Sequence, residues 1–374
     1  MNKNAIHELN AFGQSVWLDD LSRSLIKTGK LKEMIGLGLT GMTSNPTIFD
    51  KAISSSADYD EQILGLRRLG KSTFEIYDEL TITDVRDAAD LLRSVYEETA
   101  GRDGYVSLEI NPKLADKTKE TIVEGKRLHK KVNRPNVMFK VPATEAGFGA
   151  IEELTASGIN VNITLIFSVR QYVDTTQAYL RGIERFMQDQ GDAEKVFSVA
   201  SVFVSRIDTL TAELLDKLIG REKDQKRKSQ ALSLKGKAAV ANSRLCFRNY
   251  LEIFASEDFK ELKEGGANIQ RLLWGSTSTK NPASSDIKYV AELIGKGTIN
   301  TMPEKTFYAF LDHGRVKEAL IPDTAAAQES LTRLRNLGIS IDEVCLKLLE
   351  DGVLAFDKSL DNLLNTIDKK TKSL

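Results

Sequence analysis

A (β/α)8 barrel is the fold class the sequence predicts, and three observations predict it. Eight short runs rich in β-branched and apolar residues recur along the 374 residues. Amphipathic helical stretches separate most of them, and strands alternating with helices imply βα units on a parallel sheet. Within several runs the polar residues share one parity, as expected where one strand face meets a ring of helices and the other a lumen. A doubly wound open sheet is the alternative, but no G-x-G-x-x-G follows the first strand.

The elements follow in order. SVWLD (15–19) closes on Asp19, and GLTGMTS (38–44) is followed by Asn45-Pro46, an exit from extended structure. Residues 54–100 form a helical excursion that includes DAADLLRSVYEET (87–99). YVSLEI (105–110) runs into Asn-Pro, and the pattern over 112–132 predicts a helix. VMFKV (137–141), INVNITLIF (159–167), VFSVASVFVS (196–205), IQRLLWG (269–275) and GTINTM (297–302) complete the strands, with a further helix expected over 285–295. The basic run at 221–240 contains Glu and Asp and reads as a solvated helix or loop. A C-terminal helical extension occupies 310–374, placed either over the barrel mouth or on its outside. The whole, 1–374, is expected to be a single barrel domain.

Composition narrows the function. Lys plus Arg is 52 and Asp plus Glu is 53, so nothing in the bulk charge favours a nucleic-acid or membrane partner. The two cysteines, Cys246 and Cys345, follow no motif spacing, which predicts a reduced, cytoplasmic protein. The three histidines are scattered, so no metal site and no cofactor are expected. The N-terminus has no apolar signal core, and no apolar stretch is long enough to span a bilayer.

Polar residues inside the strands carry the chemistry. Ser107 and Glu109 share a face, as do Asn160, Asn162 and Thr164, and Ser201 falls on a face with Val199 and Phe203. Asp19, Asn45, Glu109 and Lys140 stand at four different strand ends, where such barrels keep their active sites. Each alone has a bland explanation, an ion pair for Glu109 or a snorkelling stem for Lys140. Together they would cost burial energy with no return unless they act.

Lys140 is the informative one, because it interrupts an otherwise apolar strand. An amine in apolar surroundings has its pKa lowered from about 10.4, and a drop of roughly three units leaves a substantial neutral fraction near pH 7. A neutral amine attacks a carbonyl and forms a Schiff base, and the protonated imine then serves as the electron sink for carbon–carbon cleavage. One carboxylate is needed to take a hydroxyl proton during cleavage and a second acid to dehydrate the carbinolamine. Beyond the strands, Arg206, Ser276 and Lys280 suit a phosphate anchor, with a local Arg206–Asp208 pair as the competing role for the arginine.

These segments resemble a known family. GMTSNPTIFDKAI (41–53) resembles the T-[ST]-N-P signature of transaldolases, and VMFKVPATEAGFGAIEEL (137–154) resembles their Schiff-base lysine segment. NVNITLIFS (160–168), VFVSRID (202–208), LLWGSTSTKNP (272–282) and NTMPEKT (300–306) are also similar, the last to the longer bacterial and plastid type. The resemblance spans roughly 15–365. It implies transfer of a dihydroxyacetone unit from sedoheptulose 7-phosphate to glyceraldehyde 3-phosphate, with sugar phosphates as the only partners and a monomeric or homodimeric state. It implies Lys140 as the Schiff-base residue, and Asp19, rather than the adjacent Asp20, as the acid/base on the donor hydroxyl. Glu109 is implied as the second acid/base, working through a water helped by Thr164. It further implies Asn45 and Asn162 on the dihydroxyacetone hydroxyls, Ser201 lining the site and Arg206 at the phosphate. Lys280 stands where shorter members have Arg, a point charge in place of a fork. A related Schiff-base aldolase that releases free dihydroxyacetone is the alternative, and a catalytically dead barrel used for binding is the reading from another class.

Overall fold

The computed structural model describes residues 4–373 and contains a closed barrel of eight parallel strands, each paired with its sequence neighbour and the last with the first. They are β1 (Ser15–Asp19), β2 (Gly41–Thr43), β3 (Tyr105–Glu109), β4 (Val137–Pro142), β5 (Val161–Ile166), β6 (Ser198–Phe203), β7 (Arg271–Gly275) and β8 (Ile299–Met302). Every expected run holds a strand; β1 matches its run, β4 extends one residue past its run to Pro142, and the other six are shorter than theirs.

The two strand parities separate as the pattern requires. Val16, Leu18, Val106, Leu108, Phe139, Val141, Ile163 and Val202 join the large outer core against the helices. Trp17, Tyr105, Met138, Val199, Leu273 and Ile299 form a second apolar cluster inside the barrel. This inner layer fills the lower lumen, so the barrel is a packed core rather than a pore. Gly41 makes room in it: a Cβ there would lie 2.5 Å from the Trp17 indole.

A polar plug closes the N-terminal end. The buried Arg271 guanidinium pairs with Asp103 at 3.2 Å and donates to the Ser15 hydroxyl at 2.6 Å. Asp103 in turn accepts from Ser15 at 2.7 Å and from the Trp17 indole N–H at 3.0 Å. A charge buried this deeply is tolerated because each of its donors is satisfied.

The helices depart from expectation in two places. The excursion is not wholly an addition, since Thr73–Leu91 packs on β3, burying Ile76, Leu80, Val85 and Ala88, and is the crossover the barrel needs. A buried cluster ties it to the chain after β1: Arg23 pairs with Asp84 at 2.9 Å, and the Tyr59 hydroxyl donates to Asp84 at 2.8 Å. The helix expected over 285–295 shrinks to Lys288–Ala291. Past it, the Ile294 carbonyl accepts from Ala319 and Leu320, so this segment gives its backbone bonds to the C-terminal region instead of to a helix. The basic run holds a short, largely exposed helix, Gln225–Leu234, in which Arg227 pairs with Glu222 at 2.8 Å.

Beyond β8 come Glu304–His313, Ala325–Asn336 and the long helix Ile341–Ser373. The last runs along Pro46–Ser55, bonded through Thr366–Asp50 and Thr47–Ser359, and reaches the next helix, Asp60–Arg68, through Lys370–Asp60. It reaches the C-terminal mouth of the barrel, where Phe356 lines the cavity described below. Among the described residues no helix is long and apolar enough to cross a membrane.

The Trp17–Gly41 contact yields a test of the inner layer. Gly41→Ala should lower stability by about 1–3 kcal/mol, the usual cost of overpacking, seen as a lower urea midpoint. Combining it with Trp17→Phe should recover part of that loss, and an unchanged midpoint in the single variant would contradict the packing.

Candidate active site

Strand register brings the polar residues together. Glu109 pairs with Lys140 across β3 and β4, and Lys140 with Asn162 across β4 and β5, so the three stand abreast. Asp19 is level with Thr43 across β1 and β2, and Thr43 with Ser107 across β2 and β3. All these positions belong to the lumenal parity, and they lie on the C-terminal side of the apolar layer.

Lys140 is 4% exposed, and its ammonium has two close partners: the Glu109 carboxylate at 3.0 Å and the Ser44 carbonyl at 3.0 Å. The setting is therefore not the purely apolar one expected from the strand sequence. Both partners stabilise a cation, so a neutral amine has to arise by handing a proton to an adjacent base. Glu109 is suited to take it, because burial pushes its carboxyl above the usual carboxylate range, an effect that the Lys140 charge opposes.

Asp19 accepts from the Thr43 hydroxyl at 2.8 Å, and Thr43 and Thr301 share a further hydrogen bond of 2.8 Å. Its carboxyl is also raised by burial, against the pull of Lys140, Thr43 and Arg206. Of the adjacent pair, Asp19 lines the cavity and Asp20 does not. Asn162 donates to Ser107 at 2.9 Å and accepts from Ser201 at 2.6 Å, which fixes the orientation of its amide. Thr164 is fully buried, and its hydroxyl has no partner among the described residues. Asn45 caps the helix Pro46–Ser55, its Oδ1 accepting from the Ile48 amide at 3.0 Å, with Pro46 at the first helical position. The Asn-Pro pair thus fixes the backbone beside the cavity that Asn45 lines.

These groups surround a cavity of about 140 Å³, lined by Asp19, Thr43, Asn45, Lys140, Thr164 and Ser201 at depth and by Arg206, Ser276, Ser278 and Lys280 nearer the mouth. Glu109 and Asn162 lie behind the lining, in contact with Lys140 and Ser201. The competing role for Arg206 is excluded: Asp208 bonds instead to Lys288, to the Tyr289 hydroxyl at 2.9 Å and to the Ala239 amide at 2.8 Å. Among the described residues Arg206 has no carboxylate within ion-pair distance, and burial lowers its pKa. It rests against the Phe203 ring at 5.3 Å. Ser276 adopts a left-handed φ of 54° and bonds to the Ser205 hydroxyl at 2.9 Å, while Lys280 is exposed. An unneutralised guanidinium beside serine hydroxyls and a lysine is an arrangement for a phosphate.

Sequence reasoning missed several lining residues. Thr43 and Thr301 carry the lumenal parity of their strands and were legible from it. Phe203 shares a face with Ser201, but as a hydrophobic residue it reads as core. Phe356 gave no signal, since it comes from a helix about 150 residues beyond β6.

Comparison with known proteins places this geometry. A family model for transaldolase/fructose-6-phosphate aldolase matches residues 16–367. The chain belongs to this family. It is 42% identical over 377 residues to a transaldolase of Trichodesmium erythraeum, covering 100% of this chain and 99% of the relative. It is 45% identical over 364 residues to a transaldolase of Saccharopolyspora erythraea, covering 97% and 96%. It is also 45% identical over 359 residues to one of Mycolicibacterium smegmatis, covering 96% and 95%. The transaldolase resemblance of the strand-end motifs therefore extends over the full chain, long C-terminal helix included.

The raised carboxyl of Asp19 has a consequence for stability. Over the interval from the ordinary value of 3.8 up to its raised value, the folded chain holds a proton that the unfolded chain has released. Stability associated with this group is present at low pH and lost as pH rises through that interval, by about 1.4 kcal/mol per pH unit. Asp19→Asn removes the dependence. Its stability relative to the parent should improve as pH rises above the ordinary carboxylate value of 3.8, read from urea midpoints. A difference that is constant or falls with pH would contradict a raised carboxyl.

Proposed function

We propose that this chain is a transaldolase, moving a dihydroxyacetone unit from sedoheptulose 7-phosphate to glyceraldehyde 3-phosphate through a Schiff base on Lys140. The observation that carries the reading is the buried Lys140–Glu109 pair at 3.0 Å on the floor of a polar cavity. Glu109 takes the ammonium proton, the free amine adds to the substrate ketone, and the returned proton helps water leave the carbinolamine. The Thr164 hydroxyl, buried without a partner, suits it to hold that water. Asp19, its carboxyl raised by burial, accepts the proton of the donor hydroxyl next to the bond that breaks. The electrons flow to the protonated imine, the aldose phosphate leaves, and the acceptor aldehyde takes its place and reverses the steps.

Asn45 and Asn162 hold the dihydroxyacetone hydroxyls, and Ser201 keeps the Asn162 amide oriented. Arg206 binds the phosphate, supported by Ser276 and Lys280. Residues 1–374 act as one catalytic domain, in the cytoplasm, as a monomer or homodimer. The family description also names fructose-6-phosphate aldolase, in which water rather than an aldehyde resolves the intermediate. Full-length similarity to proteins named transaldolase favours transfer.

Borohydride reduction with fructose 6-phosphate tests the reading. A single reduced dihydroxyacetone adduct on Lys140, seen by peptide mass spectrometry, is expected. Lys140→Ala should lose turnover by at least about 10⁴-fold while remaining folded, because Glu109, whose carboxyl is already raised, protonates once its cation is gone. Strong residual turnover in that variant would sink the mechanism. Glu109→Gln should slow adduct formation by about 10²–10⁴-fold, and a pure rise in KM would count against its proton-transfer role.

A further inference from the structure

Phe356 reaches the site from the long C-terminal helix. It is 5% exposed, lines the cavity, and holds its ring with the centroid 5.8 Å from the Lys140 nitrogen, which lies over the ring face. The helix is seated closely at this point. One turn earlier, Gly352 approaches β5 so tightly that a Cβ would lie 2.9 Å from the Leu165 side chain. Two turns before that, the Cys345 thiol donates to the Phe167 carbonyl at 3.4 Å. Leu165 has a left-handed φ of 58° and sits in the register break of β5, directly after Thr164. The helix thus docks on the irregular end of the strand that carries the partnerless hydroxyl, and docking sets Phe356 above Lys140.

We infer that Phe356 favours transfer over release, by covering the Lys140 nitrogen so that the bound intermediate waits for an aldehyde. This rests on the Schiff-base reading above. After cleavage, the dihydroxyacetone unit is held as an enamine, and two fates compete. In transfer, the enamine carbon forms a bond to the acceptor carbonyl carbon. In release, the same carbon takes a proton, and water then adds to the imine carbon. The C–N bond breaks, the amine of Lys140 keeps the electron pair and takes the proton from the added water, and free dihydroxyacetone leaves. An apolar ring over the nitrogen excludes water from that face. Its π face also stabilises the iminium cation, which forms where the ammonium now sits.

The test measures release of glyceraldehyde 3-phosphate from fructose 6-phosphate at steady state, without acceptor and with erythrose 4-phosphate. The ratio of the two rates reports release against transfer. In the series Phe356→Leu, Phe356→Val and Phe356→Ala, the ratio should climb as the cover shrinks, about tenfold or more for alanine. Phe356→Leu, which keeps an apolar cover of similar reach, should stay near the parent ratio while forming the trapped adduct about two- to fivefold more slowly, for want of the π face. A ratio that stays flat in the valine and alanine variants would overturn the inference, and valine keeps it testable if alanine does not fold. The parent gives the separate control: absence of a borohydride-trapped adduct there would refute the Schiff-base reading itself.

Discussion

The rest of the site is arranged around one buried ion pair. Lys140 and Glu109 lie 3.0 Å apart with almost no exposure, and neither charge is cheap to hold there. The strands supply what makes the pair tolerable: the Ser44 carbonyl for the amine, and a neighbouring position on the ladder for each partner. In the proposed mechanism, the same desolvation that raises the Glu109 carboxyl lets it act as a base for the amine and then as an acid for the departing water. Structure and reactivity have one cause here, because a better-solvated pair would be more stable and less able to exchange its proton.

The two ends of the barrel solve opposite problems. At the N-terminal end the Arg271–Asp103–Ser15–Trp17 plug satisfies its polar groups among themselves, and the apolar layer above it is dry. At the C-terminal end the polar groups are only partly satisfied. Asn162 is locked between Ser107 and Ser201, while Thr164 and Arg206 face the cavity with capacity to spare. A buried group left short of partners costs roughly 1–3 kcal/mol, a cost a substrate removes on binding. The saturated end gives the unsaturated end a fixed frame.

Much of this was legible in the sequence because strands encode it with period two. The parity of Ser107 and Glu109, of Asn162 and Thr164, and of Ser201 is a local property, and the barrel converts it directly into a lumenal face. Thr43 and Thr301 follow the same rule. What the strands could not encode is contact across long separations. The pairing of Asp208 with Lys288 and Tyr289, which releases Arg206, depends on a short helix some 80 residues away. The helix expected over 285–295 fails for the same reason, its carbonyl taken by Ala319 and Leu320. The surroundings of Lys140 were misjudged as apolar because the Ser44 carbonyl is backbone, invisible in any pattern of side chains.

The long C-terminal helix shows how a site acquires a part its strands do not contain. A barrel mouth built from eight loops is open to water, and a carbinolamine or imine exposed there would hydrolyse. Closing it requires an element that returns across the mouth and is held in register with the strand ends. Ile341–Ser373 meets both conditions: Thr366, Lys370 and Ser359 bind it to the helix and turn that follow β2, and Gly352 lets it settle on β5. Because Asn45 caps that same helix after β2, the element that holds the cover also holds a cavity-lining asparagine. Movement of one would disturb the other, so cover and floor are coupled through Pro46–Ser55. That coupling gives a physical reason for the extension to belong to the catalytic fold and not to its periphery.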